Sequence, residues 1–182
     1  MNSKKTIDTI KRITMQKTSF QKKIITLATM LALVMLCPIS AWSQASKYET
    51  AAAAGDAEAQ YQLGMCYYSD YYLGQGVDED MVQAFEWFRK AAEQGHAGAQ
   101  FSLGTCYYSG LGVAEDIVQG IEWYRKAAEQ GNADAQYNLG VFYYTGTDVP
   151  KDEALGLKLL RQAAEQGNIS AQEALKQFEK FQ

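Results

Sequence analysis

From residue 57 onward, small and apolar residues recur every three or four positions. Ala59, Leu63, Cys66 and Tyr67 in the first stretch would share one face of a helix. The pattern then repeats. Ala-Glu-Gln-Gly stands at 92–95, 128–131 and 164–167, so Gly95, Gly131 and Gly167 are 36 apart, and Gly55 lies 40 before Gly95. The four extra residues are expected in the loop around Asp70-Tyr71-Tyr72-Leu73. A period of this length predicts a stack of supersecondary units rather than one closed globule.

Each unit reads as two helices. The first is expected over about 57–68, 97–108 and 133–144, the second over about 80–94, 116–130 and 152–166. Gly64, Gly104 and Gly140 fall inside the first helix, where glycine costs about 1 kcal/mol against alanine. Close passage of another helix backbone would explain that cost in all three units. Asp80, Asp116 and Asp152 suit the start of the second helix, and Gly95, Gly131 and Gly167 suit its end. Ala91-Ala92, Ala127-Ala128 and Ala163-Ala164 give it a thin edge, while Trp87, Trp123 and Leu159, with Phe88, Tyr124 and Leu160, supply bulk. Between the helices, Gly74 and Gly76, Gly110 and Gly112, and Gly146 serve tight turns. Val77, Val113 and Val149 follow, and are expected to tuck under the second helix.

The ends are half units. Residues 47–54 align with the last turns of a second helix. Residues 169–181 align with a first helix but carry Lys176, Glu179 and Lys180 where glycine and two tyrosines are expected, as suits an end with no successor to cover it. The architecture expected is all-α: a solenoid of helical hairpins with units at about 55–94, 95–130 and 131–166 and a capping helix over 167–181.

Charge divides the chain differently. Of 17 Lys plus Arg and 21 Asp plus Glu, residues 1–23 hold seven cations and one acid. The rest therefore carries 10 cations against 20 acids, a balance that excludes phosphate-backbone binding and hence nucleic acid as a partner. After Lys23 comes an uncharged run over 24–36, then Cys37-Pro38 and the small residues Ala41 and Ser43 flanking Trp42. A basic segment, a short apolar run and a small-residue exit predict an export signal over 1–43, with residues 44–182 as the mature domain in the periplasm or secreted. The alternative is an uncleaved anchor, since 24–40 reaches the lower edge of a membrane span. Acylation at Cys37 is disfavoured by the bulk of Leu36.

Ala59-Gln60-Tyr61-Gln62-Leu63-Gly64, Tyr67, Gly76-Val77, Asp80, Ala84, Trp87 and Lys90-Ala91-Ala92-Glu93-Gln94-Gly95 resemble the Sel1-like repeat, a longer relative of the tetratricopeptide repeat. Ala99 to Gly104 and Glu122 to Ala128 match as well, and the third unit departs at Leu159, where tryptophan is usual. The resemblance runs from about Tyr48 to Phe181. It implies a right-handed superhelix, usually an adaptor that holds other proteins. A cysteine-rich bacterial branch has been linked to penicillin binding or β-lactamase activity, which implies a cell-envelope enzyme, such as a weak β-lactam hydrolase, as the alternative. That branch pairs cysteines within a unit, and no unit here has two.

The residues offer little chemistry. His96 is the one histidine and aligns with Asp56, Asn132 and Asn168, so it reads as a helix-start residue. No C-x-x-C spacing occurs, and no metal or cofactor is expected. Cys66 and Cys106 occupy equivalent positions, with Phe142 in the third unit. Stacked helices ~8–10 Å apart hold such residues beyond the ~7 Å a bridge allows, which favours buried thiols over a disulfide. Ser19-Phe20-Gln21-Lys22 is the only Ser-x-x-Lys and falls in the export signal. Asp78-Glu79-Asp80 lacks the calcium-loop pattern, and Asn168-Ile169-Ser170 is a formal glycosylation sequon.

Two aromatic series remain: Tyr61, Phe101 and Tyr137, and Tyr68, Tyr108 and Tyr144. Seven residues apart on a helix, they share one side, with Met65, Thr105 and Val141 between them. They line a peptide-binding groove in one reading and interhelical core in the other, with Tyr67, Tyr107 and Tyr143 as the core tyrosines of the motif. The function expected is an exported, non-catalytic, monomeric adaptor for a protein or peptide, meeting a membrane only through an uncleaved signal.

Overall fold

The computed structural model describes residues 47–72 and 78–178, with side chains placed over 47–69 and 80–178. Residues 1–46, with the expected export signal, Cys37 and Trp42, lie outside these residues, as do Gly74, Gly76, Val77 and 179–182. Among the described residues there are eight helices and no strand. They are α1 (47–53), α2 (Ala57–Tyr72), α3 (Asp78–Glu93), α4 (Ala97–Ser109), α5 (Ile117–Glu129), α6 (Ala133–Thr145), α7 (Glu153–Glu165) and α8 (Ile169–Phe178). Each helix from α2 onward packs on its successor, and α6 also touches α8, so the chain is an all-α stack of hairpins. None of these helices is long and apolar enough to cross a membrane.

Leu103 and Leu139 are buried in one cluster with Phe88 and Tyr124 respectively, the second-helix residues of the unit before, while Leu63 is buried with Ala52 and Ala59 and has Trp87 packed against it. Val149 is buried beneath α5 and α6, and Val113 packs half-buried on the α3–α4 core. Each thus clusters with the second helix of the unit before and its own first helix, where the sequence led one to expect the second helix that follows. The helix ends follow the expected chemistry. Gly95, Gly131 and Gly167 take left-handed φ values of 89°, 86° and 88°, and the amide after each donates five residues back, for example His96 N–H to Ala91 O at 3.1 Å. That is the Schellman arrangement. The same residue then caps the next helix: Asp56, His96, Asn132 and Asn168 accept from the amides of Ala59, Ala99, Ala135 and Ala171 at 2.7–3.0 Å. One residue thus closes one helix and opens the next, which leaves consecutive hairpins almost no freedom.

Two other expectations need correcting. Three of the four extra residues of the first unit, Asp70, Tyr71 and Tyr72, are helical, so α2 has 16 residues where α4 and α6 have 13; Leu73 lies outside the described residues. In the later units Gly110 and Gly146 stop the helix in left-handed geometry, whereas the first unit has Asp70 in that place. The same shift starts α3 at Asp78, so Asp80 lies inside the first turn, while Asp116 and Asp152 do cap their helices.

The glycines of the first helices do sit in a close crossing. A Cβ on Gly104 would first meet the Tyr124 ring at 2.7 Å and then Gly120 O at 3.0 Å; on Gly140 it would meet Leu160 Cγ at 2.8 Å and Gly156 O at 3.1 Å. The tighter half of the crossing belongs to Gly120 and Gly156 on the second helices, whose added Cβ atoms would meet backbone of α4 and α6. The first unit has Ala84 there, and its crossing is wider: a Cβ on Gly64 would stand 3.3 Å from Ala84 O.

A glutamine ladder ties successive units together. Gln60, Gln100 and Gln136 are each 5% exposed. Each donates through Nε2 to the carbonyl eight residues back, on Ala52, Ala92 or Ala128, at 3.0–3.3 Å. Each also accepts through Oε1 from Gln94, Gln130 or Gln166 at 2.6–2.8 Å. Buried amides so paired keep their hydrogen bonds, and they bring a second donor to helix-end carbonyls that already accept from the amides of Gly55, Gly95 and Gly131.

Candidate functional site: a pocket on the first-helix face

The first helices place their aromatic series on one surface, and a pocket of about 380 Å³ opens there between the first and second units. Tyr61, Met65 and Tyr68 of α2 form one wall, and Phe101, Ser102 and Thr105 of α4 the other; Phe88 lies at the floor. Asn132 and Asp134, at the start of α6, close one end.

Gly98 makes this shape possible. It occupies the position of Glu58 and Asp134 in the neighbouring units. A Cβ there would stand 3.1 Å from His96 Cε1 and 3.2 Å from Tyr61 Cζ, so the glycine lets the Tyr61 ring settle over the backbone and stack on His96 at 4.6 Å between centroids. Burial pushes the Tyr61 hydroxyl above its ordinary pKa, with a hydrogen bond to Ser102 opposing and the charges of Glu58 and Asp134 adding to the rise.

His96 has a structural duty. Its Nδ1 accepts from Ala99 N–H at 3.0 Å, so the ring hydrogen is on Nε2, 2.9 Å from Glu58 Oε2. Gln62 donates to the other Glu58 oxygen at 2.7 Å; these two bonds, Gln62 first, hold that carboxyl below its ordinary value. Asn168 repeats the scheme, giving Nδ2 to Asp134 at 2.8 Å.

Of the six aromatics singled out, the structure brings Tyr61, Tyr68 and Phe101 into the pocket. Tyr108 stacks on Phe142 at 5.3 Å and donates its hydroxyl to Asp148 Oδ2 at 2.8 Å, a bond that raises its pKa. Asp148 itself holds φ 58°, in the place of Gly112 in the unit before. Tyr137 packs on the core cluster of α7 and α8, and Tyr144 stacks on Phe178 at 3.8 Å. All six are half-buried. Tyr67, Tyr107 and Tyr143 pack against the core clusters as the motif's core tyrosines should.

Cys66 and Cys106 are not bridged to each other, and burial pushes the Cys106 thiol up to about 12, which leaves it inert as a nucleophile at neutral pH. Among the described residues no group of three His, Cys, Asp or Glu gathers as a metal site. Ser19 and Lys22 lie outside those residues, as do the side chains of Asp78 and Glu79. Asn168, the sequon asparagine, spends both side-chain atoms on the cap and Asp134. Sequence reasoning missed Phe88, Gly98, Ser102, Asn132 and Asp134 as pocket residues. Superposing the three full units shows the signal, because among them position 98 alone lacks an acid.

The Sel1 repeat model matches residues 57–96, 97–132 and 133–168. The crystal structure of a protective antigen present in uropathogenic Escherichia coli strains is 42% identical with TM-score 0.63, and the match covers 71% of this chain and 27% of that one. A Sel1 repeat protein from Oxalobacter formigenes is 40% identical with TM-score 0.59, over 65% of this chain and 47% of that one. The chain thus spans less than half the length of either. Helicobacter pylori cysteine rich protein B, at 21% identity and TM-score 0.55 over 74% of this chain and 94% of that one, shares the fold. No curated protein matches the chain.

Proposed function

The chain belongs to the Sel1 repeat family, and on that premise we propose that it is an exported, non-catalytic adaptor that holds a protein or peptide along its first-helix face. The observation that carries this reading is the pocket itself. It is built across three units from rigid helices, with rings below and polar groups at the rim, in the volume range of ligand sites, roughly 300–1,000 Å³. Aromatic side chains suit such a surface because they bury much area while losing little conformational entropy. Tyr61, Tyr68 and Phe101 are the contact residues in the pocket; Tyr108, Tyr137 and Tyr144 continue the same face toward the C-terminal cap. Export rests on the basic segment, apolar run and small-residue exit of residues 1–43.

Crosslinking in the producing cells, followed by fractionation and mass spectrometry, tests the reading. A discrete protein adduct in the envelope or secreted fraction is expected. A chain found only in the cytoplasm removes export, and a chain without adducts removes the adaptor role. The enzyme alternative predicts turnover of a chromogenic cephalosporin by the purified protein, abolished by a single substitution; none is expected.

A further inference from the structure

The first-helix face has a sign as well as a shape. The charged residues of α2, α4 and α6 are Glu58, Asp70 and Asp134, with no Lys or Arg among them. The cations of the three units stand on the second helices, at Arg89, Lys90, Arg125, Lys126, Lys158 and Arg161, and in the loop at Lys151. Within the pocket the segregation is local too: Asp134 stands exposed at the rim, and both it and Glu58 act on the Tyr61 hydroxyl.

The cap ladder is also broken at this point. His96 gives its outer nitrogen to Glu58, and Asn168 gives its amide to Asp134. The middle member, Asn132, faces the position held by Gly98. Its Oδ1 is taken by Ala135 N–H, while its Nδ2 has no acceptor among the described residues, at the edge of the pocket.

We propose that the pocket receives a lysine or arginine side chain from an extended partner segment. The rings of Tyr61 and Phe101 flank the aliphatic stem and the cation, Asp134 supplies the counter-charge, and Asn132 Nδ2 donates to a main-chain carbonyl of the segment. Rings stabilise a cation through their negative faces, and long basic side chains bury their stems while keeping the charge at a polar rim. An acidic side chain would meet Asp134 and no Lys or Arg among the residues that line the pocket, so the pocket selects by sign. This inference rests on the peptide-binding reading and narrows it to one partner chemistry.

Panning a displayed library of random decapeptides against the full chain separates the two claims. Bound peptides are expected to be enriched in Lys or Arg at one position, with the enrichment lost on Asp134→Lys. For a selected peptide, Asp134→Asn should weaken binding about two- to five-fold, as loss of a partly screened ion pair does. Its thermal midpoint should not move, because the new amide keeps an oxygen for Asn168 Nδ2. Asp134→Lys should abolish binding. Bound peptides without basic enrichment, or equal affinities across the three proteins, would overturn the inference and leave peptide binding standing. No peptide retained above the display background would overturn both.

Discussion

Replacing Gly156 with alanine sets two physical effects against each other. Gly156 lies inside α7, where helix propensity alone makes alanine better by about 1 kcal/mol. The added Cβ would stand 2.6 Å from Tyr144 N, 2.8 Å from Gly140 O and 2.9 Å from Tyr144 Cα. All three are backbone atoms of α6, so no rotamer change can clear them, and the two helices must move apart. Forced overpacking of this kind costs roughly 1–3 kcal/mol, and the rigid neighbours place it at the upper end. The net expectation is a loss of about 1–2 kcal/mol, a fall of roughly 3–6 °C in melting midpoint for each kcal/mol. Thermal unfolding followed by circular dichroism at the helix band reads it. The reverse change in the first unit is the control: Ala84→Gly, where a methyl is already accommodated, should also destabilise, by about 1 kcal/mol from propensity, plus the lost burial of a residue 0% exposed. A rise in stability for Gly156→Ala would refute the close crossing, because propensity would then act alone.

Other substitutions probe the ladder, the caps and the aromatic series. Gln100→Met removes two hydrogen bonds, to Ala92 O and from Gln130, but Ala92 O keeps the Gly95 amide and Gln130 is exposed, so the loss should be about 0.5–1.5 kcal/mol by urea denaturation; a change below experimental error would make the ladder ornamental. Glu58→Gln tests the acid partner of His96. A carboxyl held low in the folded state adds stability that is present above its unfolded pKa and lost as pH falls through its folded one. The parent's advantage over Glu58→Gln, about a few tenths of a kcal/mol because the group is 64% exposed, should therefore be full at neutral pH and vanish as pH falls below 4.5. Advantage that persists in acid would contradict the assignment. Tyr108→Ala removes a stacked ring and the Asp148 bond and should lower stability by roughly 1–3 kcal/mol. An unchanged melt would return Tyr108 to the free groove surface.

The features legible in the sequence are those that recur. The 36-residue spacing of Gly95, Gly131 and Gly167, the shared places of Asp56, His96, Asn132 and Asn168, and the leucines at 63, 103 and 139 all describe local geometry, and each stands where its spacing required. Features that depend on a neighbouring unit were harder to read. Gln60, Gln100 and Gln136 look like polar surface on a helix whose apolar face is only three or four residues wide. Their burial follows from the carbonyls of the preceding helix, which no spacing reveals. Gly120 and Gly156 do not stand out in the sequence, because the first unit has Ala84 in their place and the repeat alone does not make glycine obligatory there. The pocket was least legible, because it arises where the repeat departs from itself. Gly98 removes a side chain that Glu58 and Asp134 retain, and only the stacked geometry turns that missing group into a space beside Tyr61.

The most direct measurement places a photoreactive side chain on each of two faces. Ser102 lies in the pocket wall on α4; Val118, 70% exposed, lies on the second helix α5. Irradiation of producing cells carrying each variant, with mass spectrometry of the adducts, should yield a crosslinked partner from position 102 at a segment bearing Lys or Arg, and none from 118. Adducts from 118 with none from 102 would move the binding surface off the first helices and contradict the account.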